Sequence, residues 1–243
     1  MATTPGLSVE VRGLLARTST ATISTRLLER GLRNTVLHGL EPLSKPTANL
    51  VGQAFTLRYI PAREDLDTPS AFADYDHPQR AAIEQAPAGS VLVMDCRGVD
   101  RAASAGHILV TRLARRGVAG LVSDGGIRDS AGISELGFPV YVRSRSAMTN
   151  LALHHAVDLN VPIGCAGVPV YPGDILVGDE DGVVCIPRHL ADEVAREAVD
   201  MERMETLILR RVEEGGPLRG NYPPDEETVR ILRRQLDYEG GRT

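Results

Sequence analysis

Between Val91 and Val122 the chain runs from one short apolar stretch, Val91-Leu92-Val93-Met94, to another, Val118-Ala119-Gly120-Leu121-Val122. Between them lies a segment of helical pattern, residues 108–116, that stops at Gly117. Runs this uniformly apolar have no face to offer water, so they read as strands buried on both sides. A strand, a helix and a strand within about thirty residues is the connection that parallel neighbours need. An α/β fold with parallel pairing follows.

Other short strands are predicted at 51–60, 140–142, 161–163, 168–170, 175–177 and 183–186. Turn compositions join the later ones, Tyr171-Pro172-Gly173-Asp174 and Asp179-Glu180-Asp181-Gly182. Ahead of them, Thr18 to Leu28 reads as a helix capped by one of its early hydroxyls and ended by Gly31. A polar loop, 61–78, leads into a short helix opened by Pro78. The core is therefore mixed, with many short strands.

From 189 to 213 the pattern is that of one long amphipathic helix, broken at Gly215-Gly216-Pro217. A last helix after Pro223-Pro224-Asp225 carries Val229, Ile231, Leu232 and Leu236. Such a tail cannot bury its apolar stripe alone. We expect one domain over 1–243, in which the extension 189–243 packs on the core or on a neighbouring subunit.

Charge and cysteine usage narrow the function. With 27 Lys and Arg against 32 Asp and Glu, and no basic cluster, the chain lacks a surface for neutralising phosphates, which argues against nucleic acid. Three cysteines without CxxC spacing read as buried thiols. The N-terminus lacks the basic and apolar regions of a signal peptide, and no apolar run approaches the roughly 20 residues of a membrane span. A cytoplasmic protein without a membrane partner is the expectation.

The densest polar constellation follows Val122: Ser123-Asp124-Gly125-Gly126-Ile127-Arg128-Asp129-Ser130, read as a glycine-rich turn at a strand end. Ligands of α/β sheets sit at such ends. Arg128 offers a planar cationic fork for a carboxylate or enolate oxygen, and Asp129 is a hard ligand for Mg²⁺ or Mn²⁺. An ion pair bracing a turn is the alternative. A second piece, Gly106-His107-Ile108-Leu109, enters a helix whose first amides suit an anion. His107 reads either as a base or as packing, and Asp124 and Asp100 as supporting carboxylates. His154-His155, being adjacent, would face opposite ways and chelate poorly.

Taken in order, Gly106–Leu109, Gly117–Ser130, Leu136–Val140, Pro172–Asp174 and Asp179–Val184 resemble one family. It is that of the 4-hydroxy-4-methyl-2-oxoglutarate and 4-carboxy-4-hydroxy-2-oxoadipate aldolases and the regulator of ribonuclease activity A. The resemblance covers about 18–205. It implies a swivelling β/β/α core, a homotrimer or dimer of trimers, and in catalytic members a divalent metal on Asp129 with class II aldolase chemistry on pyruvate-derived acids. The family's motif is an acidic residue, twenty others, Arg-Asp, two more, then Glu or Asp. Arg128-Asp129 match, whereas His107 and Gly132 stand at the two acidic positions.

The resemblance further implies an acidic residue from a neighbouring subunit's C-terminal region, for which Glu202 and Glu205 are both placed. The expected function is a metal-dependent lyase that releases pyruvate from 4-hydroxy-2-oxo acids or oxaloacetate. The catalytic candidates are Arg128, His107 and Asp124, and the substrate-binding ones Gly106, His107, Ile108, Leu109 and Arg128. A non-catalytic regulatory binding protein, and an enolate-forming dehydratase on sugar-derived 2-oxo acids, are the competing readings.

Overall fold

The computed structural model describes residues 6–240. In chain order the strands are β1 (Glu41–Pro42), β2 (Leu50–Pro61), β3 (Ser90–Asp95), β4 (Ala103–Ala105), β5 (Gly120–Ile127), β6 (Val140–Arg145), β7 (His154–Leu159), β8 (Ile163–Cys165), β9 (Val168–Val170), β10 (Ile175–Asp179) and β11 (Gly182–Ile186). The helices are α1 (Val9–Leu15), α2 (Thr20–Glu29), α3 (Pro78–Gln85), α4 (His107–Arg115), α5 (Ser130–Glu135), α6 (Ala191–Glu213) and α7 (Glu226–Gly240). The expected α/β class is what the chain adopts.

The main sheet runs β1-β6-β5-β3-β2-β10-β11, with β4 added to β5 and β7 added to β2. Its centre, β2-β3-β5-β6, is parallel, as the strand-helix-strand pattern requires. Alternation divides the core. Leu92 and Met94 of β3 join Ile83, Val110 and Leu113 beneath α3 and α4. Val91 and Val93 point the other way, into a cluster closed by the β8–β9 hairpin. Each such side chain, fully removed from water, contributes about 1.5–3 kcal/mol relative to exposure.

A third cluster joins α1, α2 and the first half of α6 to β10 and β11, through Leu15, Ile23, Leu27, Val194, Ala195 and Ala198. The long helix thus docks on its own chain from Ala191 to Ala198. Its distal half meets α7 in a separate small cluster of Leu207, Ile208 and Leu232. The Ser/Thr-rich entry to α2 is a cap: Ser19 Oγ accepts from Thr22 N, and Thr20 bonds Asp179 through its amide and its hydroxyl. The helix α1 and the strands β4 and β7 have too few residues or too irregular a pattern to show in the sequence.

The arrangement that matters for function is a strand exchange beside β5. The first half of β5, through Ser123, pairs with β3. Past Asp95 the chain leaves the sheet and returns as β4, which pairs with Gly126 and Ile127 of the same β5. This return delivers Gly106 and the start of α4 next to Arg128. The expected glycine-rich turn at 123–130 is therefore corrected: β5 continues to Ile127, and α5 begins at Ser130. The glycines serve close approach, since a Cβ on Gly126 would lie 2.6 Å from Asp100 O and 3.0 Å from Ala102 O.

Candidate active site

Arg128 and Asp129 leave the end of β5 where β4 passes into α4. The Arg128 amide donates to Ala105 O, which ties the residue to β4. Asp129 then takes the left-handed conformation, φ 58°, and α5 begins. Aspartate is among the few residues that visit this region readily. Both side chains are about half exposed, and Arg128 Nε lies 3.6 Å from Asp129 Oδ2. That separation and exposure make a loose pair rather than an internal brace.

Gly106 is what lets them sit so close to α4. A Cβ there would stand 2.7 Å from Asp129 Oδ2 and 2.8 Å from Arg128 Nε. Gly106→Ala is accordingly expected to push both functional groups out of place. Any turnover should fall by about tenfold or more, while unfolding free energy changes by less than about 1 kcal/mol. Urea denaturation beside an activity assay checks the split.

Of the α4 entry amides, His107 N donates to Asp129 Oδ2 at 3.1 Å. Val110 N closes the first helical bond on Gly106 O, so the Ile108 and Leu109 amides are the ones left for an anion. The His107 ring lies over Gly132. A Cβ at 132 would be 2.8 Å from both its Cε1 and its Nδ1. The two positions that depart from the family motif are thus one packed pair, the imidazole taking the space of the missing side chain. Gly132→Ala should cost about 1–3 kcal/mol by crowding. Most of that cost should vanish in a His107→Ala background, as measured by a double-mutant cycle in urea.

Two recesses flank this corner. The inner one, about 270 Å³, is lined by Gly106, Ile108, Leu109, Arg128 and Asp129 together with Phe72, Gln79, Arg80, Thr149 and Asn150. The outer one, about 430 Å³, holds His107, Gly132, Arg145 and Ser146 against the other side of Arg128 and Asp129. Phe72, Gln79, Arg80 and Asn150 are functional candidates that carry no local motif.

Asp124 is placed away from this corner. It is 1% exposed inside β5, and its carboxylate accepts from Cys96 N (2.6 Å), Gly98 N (2.9 Å) and Ala166 N (3.1 Å). It ties the loop leaving β3 and the β8–β9 turn to the sheet. Glu202 accepts from Ser19 N at the start of α2. Burial, and then neighbouring Glu202, raise the carboxyl of Glu205. His154 and His155 do face opposite ways. His154 is fully buried against the Tyr59 ring, while His155 Nδ1 meets Asp67 Oδ1 at 2.8 Å. All three cysteines are free and buried.

Among the described residues no cluster of three or more His, Cys, Asp or Glu could by itself hold a metal. The donor at the corner is one half-exposed carboxylate, Asp129, open to water. That suits an ion such as Mg²⁺, which keeps several waters and is held by one or two carboxylates plus its substrate.

Comparison with known proteins bears on the same segments. A model of the RraA-like family, described as Aldolase/RraA, matches residues 20–185. The chain belongs to the Aldolase/RraA family. Within it, a Thermus thermophilus protein named 4-hydroxy-4-methyl-2-oxoglutarate aldolase is 32% identical over 109 residues, 44% of this chain and 65% of that one. A Halalkalibacterium halodurans protein provisionally given the same name is 38% identical over 117 residues, 48% of this chain and 55% of its own length. The match thus spans only about half to two-thirds of these aldolase relatives.

Among solved structures, Streptomyces coelicolor RraAS2, titled an unusual member of the RNase ES inhibitor RraA protein family, superposes with a TM-score of 0.74 at 31% identity. The match covers 84% of this chain and 98% of that one. An uncharacterized Pseudomonas syringae protein superposes with a TM-score of 0.76 at 26% identity, covering 90% and 100%. The Aldolase/RraA fold therefore extends over most of the chain. No helix among the described residues is long and apolar enough to cross a membrane.

Proposed function

We propose that the chain is a carbon–carbon lyase acting on short 2-oxo acids, with the inner recess as its active site. The observation that carries this reading is Arg128. It is a half-exposed guanidinium at the mouth of a cleft, beside a carboxylate 3.6 Å away and the start of a nine-residue helix. The Ile108 and Leu109 amides would take the substrate carboxylate, aided by the helix dipole. Arg128 would face the keto oxygen.

When the C3–C4 bond of a 4-hydroxy-2-oxo acid breaks, its electron pair moves onto C3 and charge collects on the keto oxygen as an enolate. The C4 hydroxyl loses its proton to water at the open mouth and becomes a carbonyl. Oxaloacetate would lose CO₂ and place its charge on the same atom. Arg128 is aimed at charge that exists only in the transition state and the enolate, so it acts on rate. A divalent ion bound through Asp129 would supply Lewis-acid polarisation of the same keto oxygen.

His107 acts by position in this reading. Its amide fixes Asp129, and its ring packs over Gly132 in the outer recess. A homotrimer or dimer of trimers, with the arm formed by α6 and α7 meeting a neighbour, belongs to the same proposal. The similarity to RraAS2 favours one alternative, a regulatory protein that works through its surface. The test is pyruvate release by the full chain from a panel of 4-hydroxy-2-oxo acids and oxaloacetate, with Mg²⁺ or Mn²⁺ and after chelation. Metal-dependent pyruvate release supports the lyase. No release from any acid would transfer the weight to the surface-binding protein.

A further inference from the structure

The inner recess has a second wall that the enolate chemistry does not use. Gln79 and Asn150 line it, only 2% and 3% exposed. Neither the oxygen nor the nitrogen of the Asn150 amide makes a hydrogen bond, and neither does Gln79 Oε1. The buried Tyr59 hydroxyl lies near both amides, and it too completes no hydrogen bond. Gln79 Nε2 donates to Ser104 O at 2.6 Å, so this amide is fixed rather than wandering.

Buried carboxamides are normally satisfied, so unmet donors and acceptors just behind a recess wall, each closed to solvent, call for a partner that a small side-chain turn would admit. Arg80 adds charge to the same wall. Its guanidinium lies 4.8 Å over the Phe72 ring, and among the described residues it has no carboxylate partner. Burial lowers His77 and His154 and raises the Tyr59 hydroxyl, so none of these three adds charge to the wall, while the carboxylates of Asp67 and Asp74 lie on the side of His77.

Distance links this wall to Arg128. Ser104, held by Gln79, and Gly106, against which Arg128 packs, are two strand positions apart, about 7 Å at the rise of an extended chain. A short 2-oxo acid spans that gap.

We propose that Gln79, Arg80 and Asn150 form the specificity wall for the far half of the substrate, the half that departs on cleavage. After a small turn of the Asn150 side chain toward the recess, its amide, which donates and accepts, would meet a hydroxyl or carbonyl oxygen together with Gln79 Oε1. Arg80 would select a second anionic group. The assignment rests on the lyase reading for the meaning of "far half", but its test is a binding measurement and does not require turnover.

Binding is measured by calorimetry on the full chain with Mg²⁺ and two acids that lack a 4-hydroxyl, 2-oxoglutarate and 2-oxopentanoate. They have equal chain length and differ in the second carboxylate. The wild type is expected to prefer the diacid by about tenfold or more, and Arg80→Gln to bring the two within about twofold. Asn150→Leu should weaken calorimetric binding of 2-oxoglutarate by about threefold or more with thermal stability held or improved, since it removes a buried amide without partners. Bracing would instead lower stability.

The inference is overturned if the wild type shows no preference for the diacid, if Arg80→Gln keeps it, or if Asn150→Leu unfolds early. Absence of pyruvate release together with an Arg80-dependent preference would remove the lyase and leave the wall standing. Turnover with selectivity unchanged in the variants would do the reverse.

Discussion

Arg128→Ala is expected to lower pyruvate release by about 10²–10³-fold, the usual cost of deleting one preorganised donor at a developing oxyanion. The loss should appear in kcat and kcat/KM alike, because the guanidinium meets charge that the ground-state ketone does not carry. Stability should move by no more than about 0.5 kcal/mol, as expected at an exposed position. Its one ion-pair partner among the described residues is Asp129, at 3.6 Å with both groups half exposed. Arg128→Lys should recover little, since a point charge on a flexible stem lacks the planar fork. Steady-state kinetics and a melting curve on each variant check this. Unchanged kcat in Arg128→Ala would remove the residue from the chemistry.

Asp124→Ala should give the largest stability loss of any single change considered, on the order of 2–4 kcal/mol. It would strand three main-chain donors, the Cys96 amide buried and those of Gly98 and Ala166 part-buried and within reach of water, where a fully buried donor costs about 1–3 kcal/mol before relaxation. Those donors, on Cys96, Gly98 and Ala166, belong to the loop leaving β3 and to the β8–β9 turn, and a longer contact of Cys96 Sγ with Ser123 Oγ, 3.4 Å, also reaches the first of these from β5. Asp124→Asn keeps acceptor oxygen but loses half of it, so about a third to a half of the effect is expected. The urea midpoint should fall with little change in slope. Turnover per folded molecule should be retained, which separates an anchor from a catalytic carboxylate.

The parallel centre was readable because fully buried strands leave a strong mark: Val91–Met94 and Leu121–Val122 have no polar position to spare. Arg128 and Asp129 were readable for a related reason, as charges directly following an apolar strand. Asp124 misled because a carboxylate among glycines looks like a turn. The facts that place it inside the sheet are remote, namely the return of β4 against Gly126 and the packing of Cys96, whose Sγ would stand 2.7 Å from a Cβ on Gly125. Gln79, Arg80 and Asn150 left no mark at all. They come from α3 and a single helical turn some seventy residues later, and only the tertiary fold sets them on one wall.

The packing of His107 over Gly132 couples the two positions. A side chain larger than hydrogen at 132 meets the imidazole at 2.8 Å, so it is crowded unless the ring turns aside. Changes at the two positions are therefore expected to be tolerated better together than singly. Libraries that randomise 132 alone would sample mostly crowded sequences, whereas randomising both codons together opens the combinations that a stepwise search would miss.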